Sequence, residues 1–286
     1  MDIIIGADGS PAALAAAHVA AWTRFTGILD ELVSELAVLR RPIKGPCRVQ
    51  GVIARRMWHA CQPYESGFIT PMAAVAGAVA QELLACYRRA GVTRAWVNNG
   101  GDIALHLAPS ASVRVGLYAD LARLTPAEVL SGIQTDGQFE VTSSLPVRGI
   151  ATSGWRGRSF SLGIADSVTV LARTAAEADA AATVIANAVN MDDARIVRMP
   201  ACDVKDDTDL GEIPVTVEVP TLEAPLVRQA LHAGLLRAQT LQAAGLIWSA
   251  ALVCQQQMMT TADAHEARLS KKVKTDAGNK VGSVFA

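Results

Sequence analysis

The chain has 286 residues and a formal net charge of −1; hydrophobic residues make up 51% of it and charged residues 19%. That balance excludes global disorder and provides for a sizeable core in one large domain or two small ones. A near-neutral main body without a basic block, and an aromatic content of 5%, also exclude the phosphate-neutralising and base-stacking surfaces that a nucleic-acid partner requires.

In chain order, Asp2 to Gly6 reads as a strand entered midway. Ser10 is placed to cap a helix whose first turn takes Pro11. Ala12 to Arg40 then predicts one long amphipathic helix, with Leu14, Val19, Trp22, Phe25, Ile28, Leu29 and Leu32 on a broad face that suits core packing or a homodimer equally. Pro42, Gly45 and Pro46 break it, and a second helix follows from Val49 to Cys61. Thr70-Pro71 starts a helix of small residues, Met72 to Arg89, ended by Gly91. Its alanines admit either a close-packed backbone or a ligand.

Arg94–Asn98 and Ile103–Leu107 flank Asn99-Gly100-Gly101-Asp102, a hairpin whose glycine amides can also face a phosphate. Strands are expected at Ser112–Tyr118, Gln138–Thr142 and Val147–Ala151, with a Thr125-Pro126 helix start between the first two. Gly149 to Asn190 is the organising stretch. It holds a strand ending in a small-residue turn, an apolar strand over Ser159–Ala172, and a helix opened by Thr174 with Glu177 at capping-box spacing. On that helix Asp179 and Thr183 stand four apart, on one face. Two oxygen ligands at that spacing can share a hard cation such as Mg2+; a solvated charge beside a packed hydroxyl is the plainer alternative.

Beyond it, Ala194–Arg198 and Val215–Val219 read as strands, and the acidic connection Asp203–Glu212 as a solvated loop. Leu226–Ala244 reads as a helix and Gly245–Cys254 as a buried strand. Residues 1–258 form a single domain in this reading, and 259–286 a polar mobile tail. The irregular mixture of helices and strands favours α+β, with mixed or antiparallel sheets packed against helices.

Five widely spaced cysteines with no CxxC pair argue against a disulfide framework or structural zinc and fit a reducing, cytoplasmic compartment. MDIIIGADGS has an acid at its second position and no basic region, so no signal peptide is expected. The longest apolar run, near Ala243–Cys254, falls short of the ~20 residues of a membrane span, so no membrane partner is expected.

The segments TPMAAVAGAVAQ (Thr70–Gln81), VNNGGDIAL (Val97–Leu105), ATSGWRGRSFSLGIADSVTV (Ala151–Val170) and ADAAATVIAN (Ala178–Asn187) together resemble the ApbE-like superfamily. DIIIGADGS near the start and ALHAGLLRAQTLQAAGLI (Ala230–Ile247) extend the resemblance to about Cys254. That superfamily includes FAD:protein FMN transferases, and the nearer likeness is to its small cytoplasmic branch of unknown function. The resemblance implies that Gly100, Gly101 and Asp102 lie at a flavin nucleotide site and that Asp179 and Thr183 hold Mg2+. It implies a reaction that cleaves the FAD pyrophosphate and passes FMN to a Thr or Ser of an acceptor protein. Two positions depart from the transferases: Ser159–Asp166 contains no His, and Ser167 follows Asp166 where they carry Pro.

Three functions are therefore weighed. The first is a Mg2+-dependent flavin or nucleotide phosphotransferase. Its ligand-binding set is Asn99, Gly100, Gly101, Asp102 and Thr152, with Asp179 and Thr183 for the metal. The second is a hydrolase or ring-opening enzyme for a small molecule. There Arg156 and Arg158 hold a carboxylate, Ser153, Ser159 or Ser161 serves as donor or nucleophile, and Asp166 stands in for the transferases' aspartate. The third is a non-catalytic protein binding flavin or another small ligand. His59, His106 and His232 are distant candidate partners for a serine, His106 being the best placed.

Overall fold

The computed structural model describes residues 3–117, 137–261 and 283–285. The elements, in chain order, begin with β1 (Ile3–Gly9), α1 (Pro11–Thr26), α2 (Ile28–Ser34), α3 (Leu36–Leu39), α4 (Val52–Cys61) and α5 (Val75–Ala85). They continue with β2 (Val92–Asn99), β3 (Asp102–Leu107), β4 (Ser112–Leu117), β5 (Gly137–Thr142), β6 (Gly149–Ser153), β7 (Ser167–Ala172) and α6 (Ala175–Ala188). They end with β8 (Val197–Pro200), α7 (Ala201–Val204), β9 (Pro214–Glu218), α8 (Ala224–Ala243), β10 (Ser249–Cys254), β11 (Gln257–Thr260) and β12 (Ser283–Phe285).

Seven strands form one antiparallel sheet in the order β1-β2-β3-β6-β7-β10-β11. A smaller sheet, β12-β4-β5, and a ribbon, β8-β9, complete the strands, and the architecture is α+β. Alternation along the strands sorts two cores. Ala95, Val97, Ala104, Ala151, Val168, Val170 and Leu252 pack with the buried faces of α4, α5, α6 and α8. Ile103, Leu105, Leu107, Ile150 and Leu171 pack with Val113, Val115, Phe139 and Val141 of the smaller sheet. Each of the buried Val, Leu, Ile and Phe side chains among these contributes about 1.5–3 kcal/mol. The same alternation turns Asp102 to the helix side, in phase with Ala104.

Two of the helices that lack a capping side chain of their own borrow one from elsewhere in the chain. The cap position of α4 is Gly51; the amides of Gln50 and Gly51 donate to Glu35, each at 2.7 Å, and that of Ile53 to Glu31 at 3.3 Å. The cap position of α5 is Ala74, and the Gly77 amide in its first turn donates to Asp179 Oδ2 at 2.9 Å. By contrast α1 and α6 are capped locally: Ser10 accepts from Ala13 and Thr174 from Glu177. The Glu177 carboxylate does not complete the box; it lies 3.5 Å from Arg173 and leaves Oε2 unpartnered.

Several expectations shift. The long helix over 12–40 is three helices, separated at Gly27 and Glu35, whose amides bond three residues back. Of its expected core face only Ile28 and Leu32 are buried; the inward line is Ala17, Ala21, Ile28, Leu32 and Leu39. Alanines let α1 lie close to its neighbours, and His18 Nδ1 meets the Tyr87 hydroxyl at 2.6 Å. The strand over 159–172 begins only at Ser167. Ahead of it, side chains near the end of α6 satisfy the backbone in place of a strand neighbour: Leu162 N–H donates to Asn187, and Asn190 donates to Leu162 O, both at 2.9 Å. The acidic connection is tied down through Asp207 to Arg40 and through Asp209 to the buried Thr70 hydroxyl. Met259 and Thr260, assigned to a tail, are part of β11. The Thr125-Pro126 helix start lies outside the described residues.

Candidate functional site

The site grows from a two-residue hairpin turn. Asn99 and Asp102 face each other across β2 and β3, and Gly100 and Gly101 between them adopt φ of +70° and +109°. Such φ values at both positions match the right-handed twist of a hairpin and favour glycine strongly. A Cβ on Gly100 would lie 1.5 Å from Arg158 Nη2, so the guanidinium occupies the space a side chain would take. The Gly101 amide is already engaged, donating to Asn98 Oδ1 at 2.8 Å.

Behind the turn, Asp102 is buried, and its Oδ1 accepts from the Thr152 amide at 3.3 Å. Thr152 Oγ1 in turn meets Thr169 Oγ1 at 2.9 Å. Asp179 approaches from α6. Its carboxylate accepts from the amides of Gly77 and Ala76, while Ala76 O accepts from Asn99 Nδ2 at 3.1 Å. One peptide of α5 thus ties the hairpin to the metal-candidate helix. The two helices touch backbone to backbone there: a Cβ on Gly77 would lie 2.3 Å from Ala175 O. The small residues of α5 serve that approach.

The two carboxylates perturb one another. Burial, then the negative charge of Asp179, pushes the Asp102 carboxyl well above the carboxylate range, against the Thr152 amide and the Arg158 charge. Burial also raises Asp179, to about 7, against its two amide bonds. The pair therefore lacks positive charge: Arg158 supplies part of it, and a divalent cation would supply the rest. Thr183 lies one helical turn from Asp179, half-buried on the same face. The donor set of two carboxylates and a hydroxyl is all oxygen, as Mg2+ prefers. Among the described residues no group of three or more His, Cys, Asp or Glu side chains could hold a metal ion. A cation here would keep positions open for water or a phosphate oxygen.

The remaining candidates fall elsewhere. Ser161 is buried, donating to Asn187 Oδ1 and accepting from the Gly163 amide, each at 3.2 Å. Asp166 accepts from the Gln255 amide at 2.5 Å and lies 3.3 Å from Arg156 Nε. Arg156 also stacks over Trp155 at 5.1 Å. Residues predicted for separate roles thus bind each other and fasten the β10–β11 turn. Ser153 ends β6 on the helix side, in phase with Ala151, and Ser159 is exposed in the loop. His106 lies at the far end of β3 from Asp102, near Val92 O, and burial lowers its pKa. His59 and His232 are exposed on other helices. A cleft of about 440 Å3 lined by Cys47, Val49, Gln50, Val52, Arg55 and His59 includes no member of the carboxylate pair.

Sequence reasoning missed the Ala76 and Gly77 amides. Their signal was a helix start with no hydroxyl or carboxylate at its cap position, which must find an acceptor elsewhere.

Fold and site together define an α+β protein with a charge-deficient carboxylate pair behind a Gly-Gly hairpin. The family model described as AbpE bacteria matches residues 1–261, and the chain belongs to that family. A UPF0280 protein of Methanopyrus kandleri is 39% identical over 167 residues, 58% of this chain and 61% of its own length. UPF0280 proteins of Methanothrix thermoacetophila and Methanothermobacter thermautotrophicus are 40% and 43% identical, each over 140 residues. Those matches cover 49% of this chain and 53% and 49% of the two relatives. The chain thus spans about half to three fifths of the length of the curated relatives it matches. No described helix is long and apolar enough to cross a membrane.

Proposed function

We propose that this protein is a Mg2+-dependent phosphotransferase of the ApbE-like kind, acting on a flavin nucleotide pyrophosphate such as FAD. The observation that carries the reading is the pairing of buried Asp102 with half-buried Asp179, short of positive charge, beside a guanidinium lying on the Gly-Gly turn. Asp179, Asp102 and the Thr183 hydroxyl would hold the cation. When bound, Mg2+ neutralises charge developing on the phosphates. Arg158, whose guanidinium fills the space over Gly100 that a side chain would take, would hold pyrophosphate oxygens there. Asn98 and Asn99 keep the turn and the α5 amides in register. In the transfer, an acceptor hydroxyl forms a new O–P bond as the pyrophosphate P–O bond breaks. AMP leaves with the electrons of the broken bond, and the hydroxyl proton passes to water.

The hydrolase reading draws less support, because Arg156 and Ser161, two of its named groups, are engaged with Asp166 and Asn187. The test is AMP release from FAD, resolved by mass, with and without Mg2+ and with a Thr-bearing acceptor protein. AMP that requires Mg2+ and disappears in Asp179→Ala supports the proposal. Tight flavin binding without AMP would make this a binding protein, and neither binding nor AMP would overturn the reading.

A further inference from the structure

Ala12, Ala15, Val19, Trp22, Thr26, Leu29, Val33 and Leu36 recur at alternate spacings of three and four, the interval of a helix-pairing seam. All but the half-buried Leu36 are exposed; Val19 and Trp22 are 68% accessible, Leu29 65% and Val33 54%. The inward line Ala17, Ala21, Ile28, Leu32 and Leu39 keeps its spacings of four and seven across Gly27 and Glu35. The phase is therefore held through both breaks, and the outward seam is continuous over α1, α2 and the start of α3. We propose that this face is the contact surface of a homodimer, in which the seam packs antiparallel against the same seam of a second copy.

Three features select a second copy as the occupant. First, the seam is complementary to its own reverse. A two-fold axis between Trp22 and Thr26 sets Ala12 against Leu36, Ala15 against Val33, Val19 against Leu29 and Trp22 against Thr26. Small meets large in three of these four pairings, and Val19 meets Leu29 as a second aliphatic side chain in the other. Second, the face is ready to be dried. Its hydroxyls already donate to their own helix, Thr23 to Val19 O, Thr26 to Thr23 O and Ser34 to Glu31 O. The outer flank, Ala16, Thr23, Asp30 and Ala37, has one charge; Arg24 is turned away into Glu31 and Glu82. A face without exposed Lys or Arg also lacks what would draw it to a lipid surface. Third, the size fits. The seam is roughly 36 Å long at about 1.5 Å per residue. With its flanks it offers on the order of 600 Å2 per copy, and two such faces reach the ~1,200 Å2 at which specific interfaces begin.

Sedimentation equilibrium at about 50 µM tests this. The wild-type chain should give twice its 30.0 kDa mass. Trp22→Asp and Leu29→Glu should each weaken association about 100-fold or more, and at a concentration low enough for the wild type also to be monomeric their thermal midpoints should match its own, since both side chains stand in solvent in the free chain. The register is tested by mild oxidation in a Cys202→Ser background, which removes the exposed native thiol. Ala15→Cys combined with Val33→Cys should form a disulfide-linked dimer, and neither alone should do so. A monomeric wild-type chain, or a dimer that survives Trp22→Asp, would overturn the proposal. Single cysteines linking as readily as the pair would overturn the antiparallel register on which it stands.

Discussion

Two polar clusters lie within the same stretch of chain and differ in how their charges are settled. Around Asp166 and Ser161 both side chains have protein partners, Gln255 and Arg156 for the carboxylate, Asn187 and Gly163 for the hydroxyl. Around Asp102 and Asp179 the hydrogen bonds come from backbone amides, and two negative charges face each other with one guanidinium nearby. The first cluster fastens a loop. The second retains an electrostatic demand that folding leaves unmet, and the proposed cation site rests on that demand.

Breaking each cluster should give opposite signatures. The largest effect is expected from Asp179→Ala, which should abolish Mg2+-dependent AMP release and any rise in melting temperature on adding Mg2+. Asp166→Ala should leave that Mg2+ response intact. It should lower stability by about 1–3 kcal/mol through the unsatisfied Gln255 amide, measured by denaturant unfolding.

A pH series sharpens the contrast. Folding raises the Asp179 pKa from its ordinary value near 4 to about 7, so the folded state binds this proton more tightly. The stability it contributes is full below pH ~4 and is lost as pH rises through about 7. Without metal, Asp179→Asn should therefore melt higher than the wild type at pH 8, and the difference should close toward pH 4. A smaller effect is expected from Arg158→Ala: a rise of about tenfold in the dissociation constant for a nucleotide pyrophosphate, seen by calorimetry, with little change in melting temperature. The mildest is Thr183→Val, which should raise the Mg2+ concentration for half-maximal response a few-fold and leave apo stability nearly unchanged.

Much of this arrangement could be read from residue order. The Gly-Gly turn between two apolar strands, the Thr174 cap and the Asp179–Thr183 face are local patterns, and local sterics and spacing fix them. The α+β class followed from the same reading. What escaped depended on contacts across the chain. Apolar periodicity over residues 12–40 gave one broad face, and the fold divides it: Ile28 and Leu32 turn inward, Val19, Trp22 and Leu29 outward. Ser161, Asp166 and Arg156 carry chemistry by type, and only their tertiary partners Asn187 and Gln255 reveal that it is spent on structure. The family resemblance set Asp102 and Asp179 in one site, but residue order alone did not bring them together; strand alternation names the face of Asp102 and not what lies opposite.

The borrowed cap on α5 has a kinetic meaning. Because the acceptor for Gly77 sits 102 residues further along the chain, this amide gains its protein partner only once α6 has docked. Its amides at Ala76 and Gly77 should therefore exchange with deuterated solvent as a unit with α6, ahead of the interior turns of α5. They should slow further when a ligand holds the Asp179 carboxylate in place.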